Sequence, residues 1–257
     1  MNSMPKKSFV LILLASLSAL SACDSGGGSG ESSDSDSRRV VKMTATNTTA
    51  GGVDVFTFEY DDAGNLKAFT PPPNAGSEYL KESYQYSSNQ TLQSGRELNA
   101  SGQAVSSIRY RFNPVDLVNV IAYQAEGESY EHLRIDYEYN STGRVSQERQ
   151  SNFTLLASGQ VQKSSETTLA YSYDTYGRIE TVSELDNTKP EGERETKVRS
   201  YQYPQSSFAP NKMLEYDASE AVVAEYRLAF EYEEARCNVD GVQLPQKPQW
   251  RFVCLEN

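Results

Sequence analysis

Residues 170–182 read AYSYDTYGRIETV, and the heptapeptide at their centre, YDTYGRI, has near-copies elsewhere in the chain. YDDAGNL begins at Tyr60, YNSTGRV at Tyr139 and a degenerate YDASEAV at Tyr216. An aromatic, an Asx residue, two free positions, a glycine, a polar residue and an aliphatic one can build either a ligand loop or a turn. In a turn, the fixed positions have structural tasks. The side chains of Asp61, Asn140 and Asp174 can accept hydrogen bonds from backbone amides two residues on. Gly64, Gly143 and Gly177 can adopt the positive φ that closes a short hairpin loop. Tyr60, Tyr139 and Tyr173 end one strand, and Leu66, Val145 and Ile179 begin the next. The motif therefore predicts hairpins.

The flanking sequence predicts the strands themselves. Phe56, Phe58 and Tyr60 alternate with Thr57 and Glu59, and Leu133, Ile135, Tyr137 and Tyr139 alternate with Arg134, Asp136 and Glu138. The same period of two places Leu169, Tyr171 and Tyr173 on one face, and Tyr226, Leu228, Phe230 and Tyr232 on another. Such alternation marks antiparallel strands with one buried and one wet face. Aromatic markers of the turn recur near Tyr60, Tyr86, Phe112, Tyr139, Tyr173, Tyr203 and Tyr232, at intervals of 26 to 34 residues. Glycine turns around Gly102, Gly127 and Gly159 fall between them and belong to the opposite strand ends. Each interval holds one up-down pair, which predicts an all-β antiparallel meander of roughly 13 to 15 strands. A flat sheet of that width would leave its aromatic face wet, so the expectation is a curved or rolled sheet.

The motif YxYDxxGRL at this period resembles the YD repeat, also called the RHS repeat, of bacterial polymorphic toxins and teneurins. AYSYDTYGRIETV and DYEYNSTGRVSQE match well, FEYDDAGNLKAF fairly, and YQYSSNQTLQS and RFNPVDLVNV loosely. The resemblance covers most of residues 53–236 and implies repeats that wind a β-sheet into a spiral. The chain is too short for a full cage, and it looks more like the small repeat-bearing lipoproteins of bacterial envelopes.

The first residues, MNSMPKKSFVLILLASLSALSAC, place Lys6 and Lys7 before an apolar run from Phe9 to Leu20, the layout of an export signal. Leu20-Ser21-Ala22-Cys23 resembles the lipobox of bacterial lipoproteins, which implies cleavage before Cys23 and diacylation of its thiol. Residues 1–22 are then a signal peptide, 23–39 the lipidated cysteine with a flexible Gly/Ser/Asp linker, and 40–257 one β domain. Segment DSGGGSGESSDSDS has no apolar residue whose burial could offset ordering entropy. Losing residues 1–22 removes two lysines and no acid, taking the formal charge from −11 to −13. So acidic a chain repels nucleic acid. The implied location is the cell envelope, the periplasmic face of either the inner or the outer membrane.

Little in the sequence points to chemistry. The single histidine, His132, is expected on a wet face, and no Gly-x-Ser-x-Gly elbow accompanies it. Zinc sites draw on several His and Cys residues, which this chain lacks. Asp61-Asp62 and Asp34-Ser35-Asp36 lack the spaced ligands of a calcium loop. Glu59, Asp136, Glu138 and Glu231 project from wet strand faces as solvated charges. No catalytic residue, metal or cofactor is therefore assigned. The reading is a non-enzymatic envelope lipoprotein whose scaffold binds a protein or an envelope glycan. The alternative is a half-barrel that carries lipid or lipoprotein against its aromatic face.

With Cys23 acylated, Cys237 and Cys254 remain, and in an exported chain they are read as one disulfide. Closing a loop of this length contributes around 3 kcal/mol. Peptide mapping of periplasmic material with and without reductant should show the two cysteines leaving one linked peptide; free thiols at both positions exclude the bond.

Overall fold

Fourteen antiparallel strands run in sequence order around a closed wall, and the first pairs with the fourteenth. The computed structural model describes residues 38–72, 80–89, 91–186, 188, 190, 195–205, 207, 209–235 and the backbone of 254–255. Cys23 and Cys237 lie outside these residues, as do the signal peptide and all but the end of the linker segment. β1 is Arg38–Asn47, β2 Val53–Tyr60, β3 Leu66–Thr70, β4 Lys81–Tyr86, β5 Leu92–Leu98, β6 Ala104–Phe112 and β7 Val118–Ala125. β8 is Leu133–Tyr139, β9 Val145–Leu155, β10 Val161–Tyr173, β11 Ile179–Leu185, β12 Glu195–Gln202, β13 Lys212–Tyr216 and β14 Val222–Glu234. A short β15, Cys254–Leu255, lies beside Arg38 and Arg39. β1 starts two residues before the domain boundary expected at residue 40.

The meander is as expected, but the sheet is neither open nor merely rolled. β1 pairs along its length with β14, from Arg38 opposite Glu234 to Asn47 opposite Tyr226, and with β2 on its other side. Closure removes the two edges that a fourteen-strand sheet would otherwise expose, where unpaired amides and carbonyls recruit other chains. It also gives every strand an inner face. Phe56, Phe58, Ile108, Ile121, Ile135, Tyr137, Val182, Met213 and Leu228 are buried there. A barrel of eight strands is filled by ordinary side chains; a wider one needs larger fillers. The chain supplies 17 tyrosines and 9 phenylalanines, many of them packed in two inner clusters.

One turn geometry closes five hairpins at the same end of the barrel. The amides of Asp61, Ser87, Asn113, Asn140 and Asp174 donate to the carbonyls of Asn65, Thr91, Leu117, Arg144 and Arg178. Asp174 Oδ1 accepts the amides of Tyr176 and Arg178 at 2.9 Å each, the side-chain turn foreseen from the motif. Asp61 does the same with Ala63 and Asn65, and Asn140 with Thr142 and Arg144. Gly177 sits at φ +78, where a side chain would also meet the Arg144 guanidinium. Asp116 and Glu220 occupy the equivalent position at φ 60 and 59 without being glycine. This shows that the turn depends on its hydrogen bonds as well as on glycine.

After each turn the register slips by one residue, a bulge that sets the marker aromatic opposite the aliphatic of its own hairpin. Tyr60 faces Leu66, Tyr86 Leu92, Phe112 Val118, Tyr139 Val145 and Tyr173 Ile179. The tyrosine hydroxyls then reach back to the preceding repeat. Tyr60 donates to the carbonyl of Val40, Tyr86 to Leu66, Tyr139 to Val118, Tyr173 to Val145 and Tyr203 to Ile179. YDASEAV does not belong to this series. Its turn at Asp217 lies at the far end of the barrel, and the Tyr216 hydroxyl bonds Ser200, on the face opposite Tyr201.

Two substitutions test this arrangement by chemical denaturation. Gly177→Val should lower stability by roughly 1–3 kcal/mol, because a β-branched residue is strained at positive φ. Tyr173→Phe should cost about 1–2 kcal/mol, because it orphans a buried carbonyl. Unchanged midpoints for both would mean that the repeated motif does not hold the wall together.

Candidate functional site

The inner face is not wholly apolar. Glu82 and Glu148 are buried on it, at 5% and 2% exposure. Glu82 accepts the Tyr84 hydroxyl at 2.7 Å, Glu148 accepts that of Tyr171 at 2.7 Å, and Glu215 that of Tyr226 at 3.3 Å. Arg199 stands opposite Glu215 in the β12–β13 ladder and hydrogen-bonds Tyr201. Burial pushes the Tyr84, Tyr137 and Tyr171 hydroxyls well above the usual tyrosine range, and Glu82 or Glu148 adds to the effect in each. Tyr226, less enclosed, is pushed up to about 12, by burial first and then by Glu215. Burial likewise raises Glu215, against the lowering influence of Arg199. Tyr84, Tyr171, Tyr201 and Tyr226 are hydrogen-bonded to charged side chains inside a packed wall and act as internal struts, whereas the Tyr137 hydroxyl is buried without a hydrogen-bond partner.

Glu82, Glu148 and Glu215 thus differ from the outward acids Glu59, Asp136, Glu138 and Glu231. Rim tyrosines donate to backbone carbonyls. Of the tyrosines farther inside, Tyr84, Tyr171 and Tyr226 find carboxylates. The signal was present in Glu82, which shares the parity of Tyr84 and Tyr86. Glu148 could not be read the same way, since a bulge near Val145 shifts its register. Tyr137, Tyr171 and Phe230 all pack within the core clusters. With the wall closed over them, the half-barrel presenting an open aromatic face is not formed.

The outer wall is charged and paired. Glu59 meets Lys81, Asp136 Arg134, Glu138 Arg149, and Glu231 Lys42. All four acids foreseen as solvated surface charges therefore sit in surface ion pairs. Arg and Lys facing lipid at mid-bilayer cost about 2–4 kcal/mol each, so this wall is suited to water. His132 departs from expectation. It is half-buried with its ring 6.5 Å from Tyr123, Nδ1 is buried without a hydrogen-bond partner, and burial holds its pKa down.

The polar residue of the repeat also has a task that the sequence did not disclose. Arg178 bonds the Asp174 carboxylate at 2.6 Å, donates to the Ser207 carbonyl and lies 4.5 Å over the Tyr203 ring. Arg144 lies 5.6 Å over Tyr173 and Arg39 lies 4.5 Å over Tyr60. Each arginine thus caps the tyrosine of the next repeat. The residues Tyr60, Asp61, Gly64, Tyr139, Asn140, Gly143, Tyr173, Asp174 and Gly177 are all accounted for as turn and rim structure.

An open site lies at the opposite end. A cleft of about 610 Å³ is walled by Glu166 and Thr168 of β10, Glu184 and Leu185 of β11, Thr196 and Val198 of β12, and the β13–β14 turn at Tyr216 and Asp217. Asp186 and Thr188 complete it. Among the described residues the lining holds four carboxylates and no lysine or arginine, with Glu166 paired to Lys163 beside it. No group of His, Cys, Asp and Glu suited to a metal occurs among the described residues.

No protein-family model matches the sequence, and no curated protein is similar to it. Solved structures do resemble the chain. A porin-like protein from Bacteroides vulgatus ATCC 8482 is 14% identical with a TM-score of 0.43, over 75% of this chain and 98% of that one. A porin-like protein from Bacteroides uniformis ATCC 8492 is 12% identical with a TM-score of 0.40, over 76% and 98%. The Photorhabdus luminescens Tc holotoxin pore is 13% identical with a TM-score of 0.31, over 69% of this chain and 12% of that one.

Two measurements probe the charges. Glu215→Gln should cost about 1–2 kcal/mol by weakening the acceptor of the Tyr226 hydroxyl and removing the negative charge opposite Arg199, and Arg199→Met with Glu215→Leu should recover part of it. For Asp174, burial pushes the carboxyl up, but bonds from the Arg178 amide, its guanidinium and the Tyr176 amide outweigh it and hold the pKa below 3.8. A carboxyl lowered on folding contributes stability above its unfolded value and loses it as pH falls through the folded value. Acid titration of Asp174→Asn should therefore show a flatter loss of stability below pH 3.8 than the parent.

Proposed function

We propose that the chain is a non-enzymatic, lipid-anchored β-barrel of the bacterial envelope that binds a protein or glycan partner at the end remote from its anchor. The observation that carries this reading is the polarity of the wall together with the place where the chain enters it. β1 begins at the end bearing the Asp61, Asn140 and Asp174 turns. A tether running back to Cys23 leaves from that end. A linker of about 15 residues with the coil-like reach its Gly/Ser/Asp composition implies would span roughly 20 Å, holding the tyrosine rim towards the membrane and turning the acidic cleft away from it. The charged wall suits the space beside a membrane, and the packed interior leaves binding to the outside.

In this reading the lipobox-like LSAC supplies the anchor, since two or more acyl chains are needed for lasting attachment. The YD/RHS-like repeats supply a rigid scaffold. Metabolic labelling with a palmitate analogue should mark the parent and not Cys23→Ala, and the variant should move from the membrane to the soluble periplasmic fraction. Absence of label on the parent would overturn the anchor.

A further inference from the structure

His132 is the chain's single histidine, and the barrel uses its backbone while leaving its ring unserved. It closes the 126–132 connection between β7 and β8, at the end of the barrel that bears the cleft. Its amide donates to the Tyr123 carbonyl of β7, and its carbonyl accepts the Phe153 amide of β9, both at 2.9 Å. The second bond lies at the foot of a two-stranded ribbon. β8 pairs with β9 up to Leu133 opposite Asn152, and beyond that level Thr154 and Leu155 pair with Gln162 and Val161 of β10. These four residues are exposed, as are residues 156–160 between them. One residue therefore joins the loop, the wall and the base of the β9–β10 ribbon.

The ring is half-buried beside Tyr123, and Nδ1 is buried without a hydrogen-bond partner. A neutral imidazole tolerates this, but an imidazolium donates from both nitrogens, and a buried charge without an acceptor is far costlier than a neutral group. The charges around the ring are engaged elsewhere. Glu131 of the loop lies 3.3 Å from Arg109 and 3.8 Å from Arg111 of β6, and Arg134 of β8 holds Asp136. Lys163 of β10, opposite Phe153 in the ladder, holds Glu166. β9 presents the uncharged Asn152 and Phe153 at this level, and burial pushes the Tyr123 hydroxyl of β7 well above the usual tyrosine range. Glu126 and Glu128 are exposed on the loop. Burial accordingly holds the His132 pKa below its ordinary 6.5.

We propose that His132 is an acid-operated latch: on taking a proton its ring turns out to water, and the 126–132 loop and the foot of the ribbon loosen with it. The Glu126 amide bonds the Val105 carbonyl and the Glu128 amide that of Ala125, so the start of the loop stays fixed to the wall while its His132 end opens. A histidine lowered on folding contributes closure fully above 6.5 and loses it as pH falls through that value towards the folded one. Histidine is the one side chain whose ordinary titration falls in this range. The latch makes the binding end responsive to acidity, and it depends on neither the lipid anchor nor the identity of a partner.

The test uses the full-length chain in detergent. With one histidine in the chain, the imidazole NMR signal reports His132 alone, and it should titrate below 6.5. Hydrogen exchange, corrected for the intrinsic effect of pH, should speed up severalfold, to a limit of about tenfold, at the amides of residues 132 and 153 between about pH 7.5 and about pH 5.5. The Gly177 amide, in a turn at the other end, should keep its rate. His132→Phe keeps a ring beside Tyr123 that cannot take a proton, so the rise should vanish while the melting temperature near neutral pH is unchanged. His132→Gln, smaller and polar, answers the same question if phenylalanine disturbs the fold. The proposal is overturned by a titration at or above 6.5, by a rise that persists in the variants, which would place the trigger on Glu128 or Glu131, or by an equal rise at Gly177, which would signal loosening of the whole barrel.

Discussion

The barrel depends on one repeated clasp, a tyrosine hydroxyl donated to the backbone carbonyl of an aliphatic residue in the preceding repeat. Five such bonds, from Tyr60, Tyr86, Tyr139, Tyr173 and Tyr203, follow the wall at one end. Each joins strands that are already neighbours, so its effect is on tilt and spacing more than on topology. For Tyr60, Tyr86, Tyr139 and Tyr173, the bulge after the turn sets the ring opposite its own aliphatic partner. Turn, bulge and clasp are therefore one unit. A buried hydrogen bond contributes only about 1 kcal/mol net, but losing it strands a carbonyl where no water can replace the donor. At Tyr60, Tyr173 and Tyr203 an arginine over the ring holds the clasp from outside.

Closure follows from the same arithmetic of faces. A meander with one aromatic face must hide it, and fourteen strands are enough to bring β14 back to β1. The enclosed space is then too wide for aliphatic side chains alone. Tyrosine fills it, and filling it with tyrosine creates a demand for acceptors in the middle of the core. Glu82, Glu148 and Glu215 meet that demand. A hydroxyl bonded to a buried carboxylate is a stronger contact than one between neutral groups, which makes these acids part of the packing. The packed interior leaves the ends and the outer surface as the accessible parts of the molecule.

Strand β10 shows how a closed barrel can regain an edge. Closure satisfies backbone groups only as far as both neighbours extend. The thirteen residues of β10 exceed the seven of β11, and the surplus is ribbon. The exposed edge is accompanied by charge, with Lys163 held to Glu166 at 2.7 Å. Charged edges resist indiscriminate pairing.

What the sequence by itself determined was everything with a local physical cause. Period-two alternation marked the strands, and Asp174, Gly177 and their counterparts marked the turns, because an Asx acceptor and a positive φ are properties of a few neighbouring residues. The outward placement of Glu59, Asp136, Glu138 and Glu231 was legible for the same reason, and their ion pairs were not. Tertiary structure alone decided what depends on residues far apart in the chain. Whether β14 reaches β1 depends on tilt and twist accumulated over fourteen strands. The carbonyl that receives the Tyr173 hydroxyl lies 28 residues away. Glu148 faces inward only because a bulge changed its register. YDASEAV reads like its relatives and still turns at the other end, because a chain that reverses direction at every hairpin makes parity, and not motif, the arbiter of which end a turn occupies.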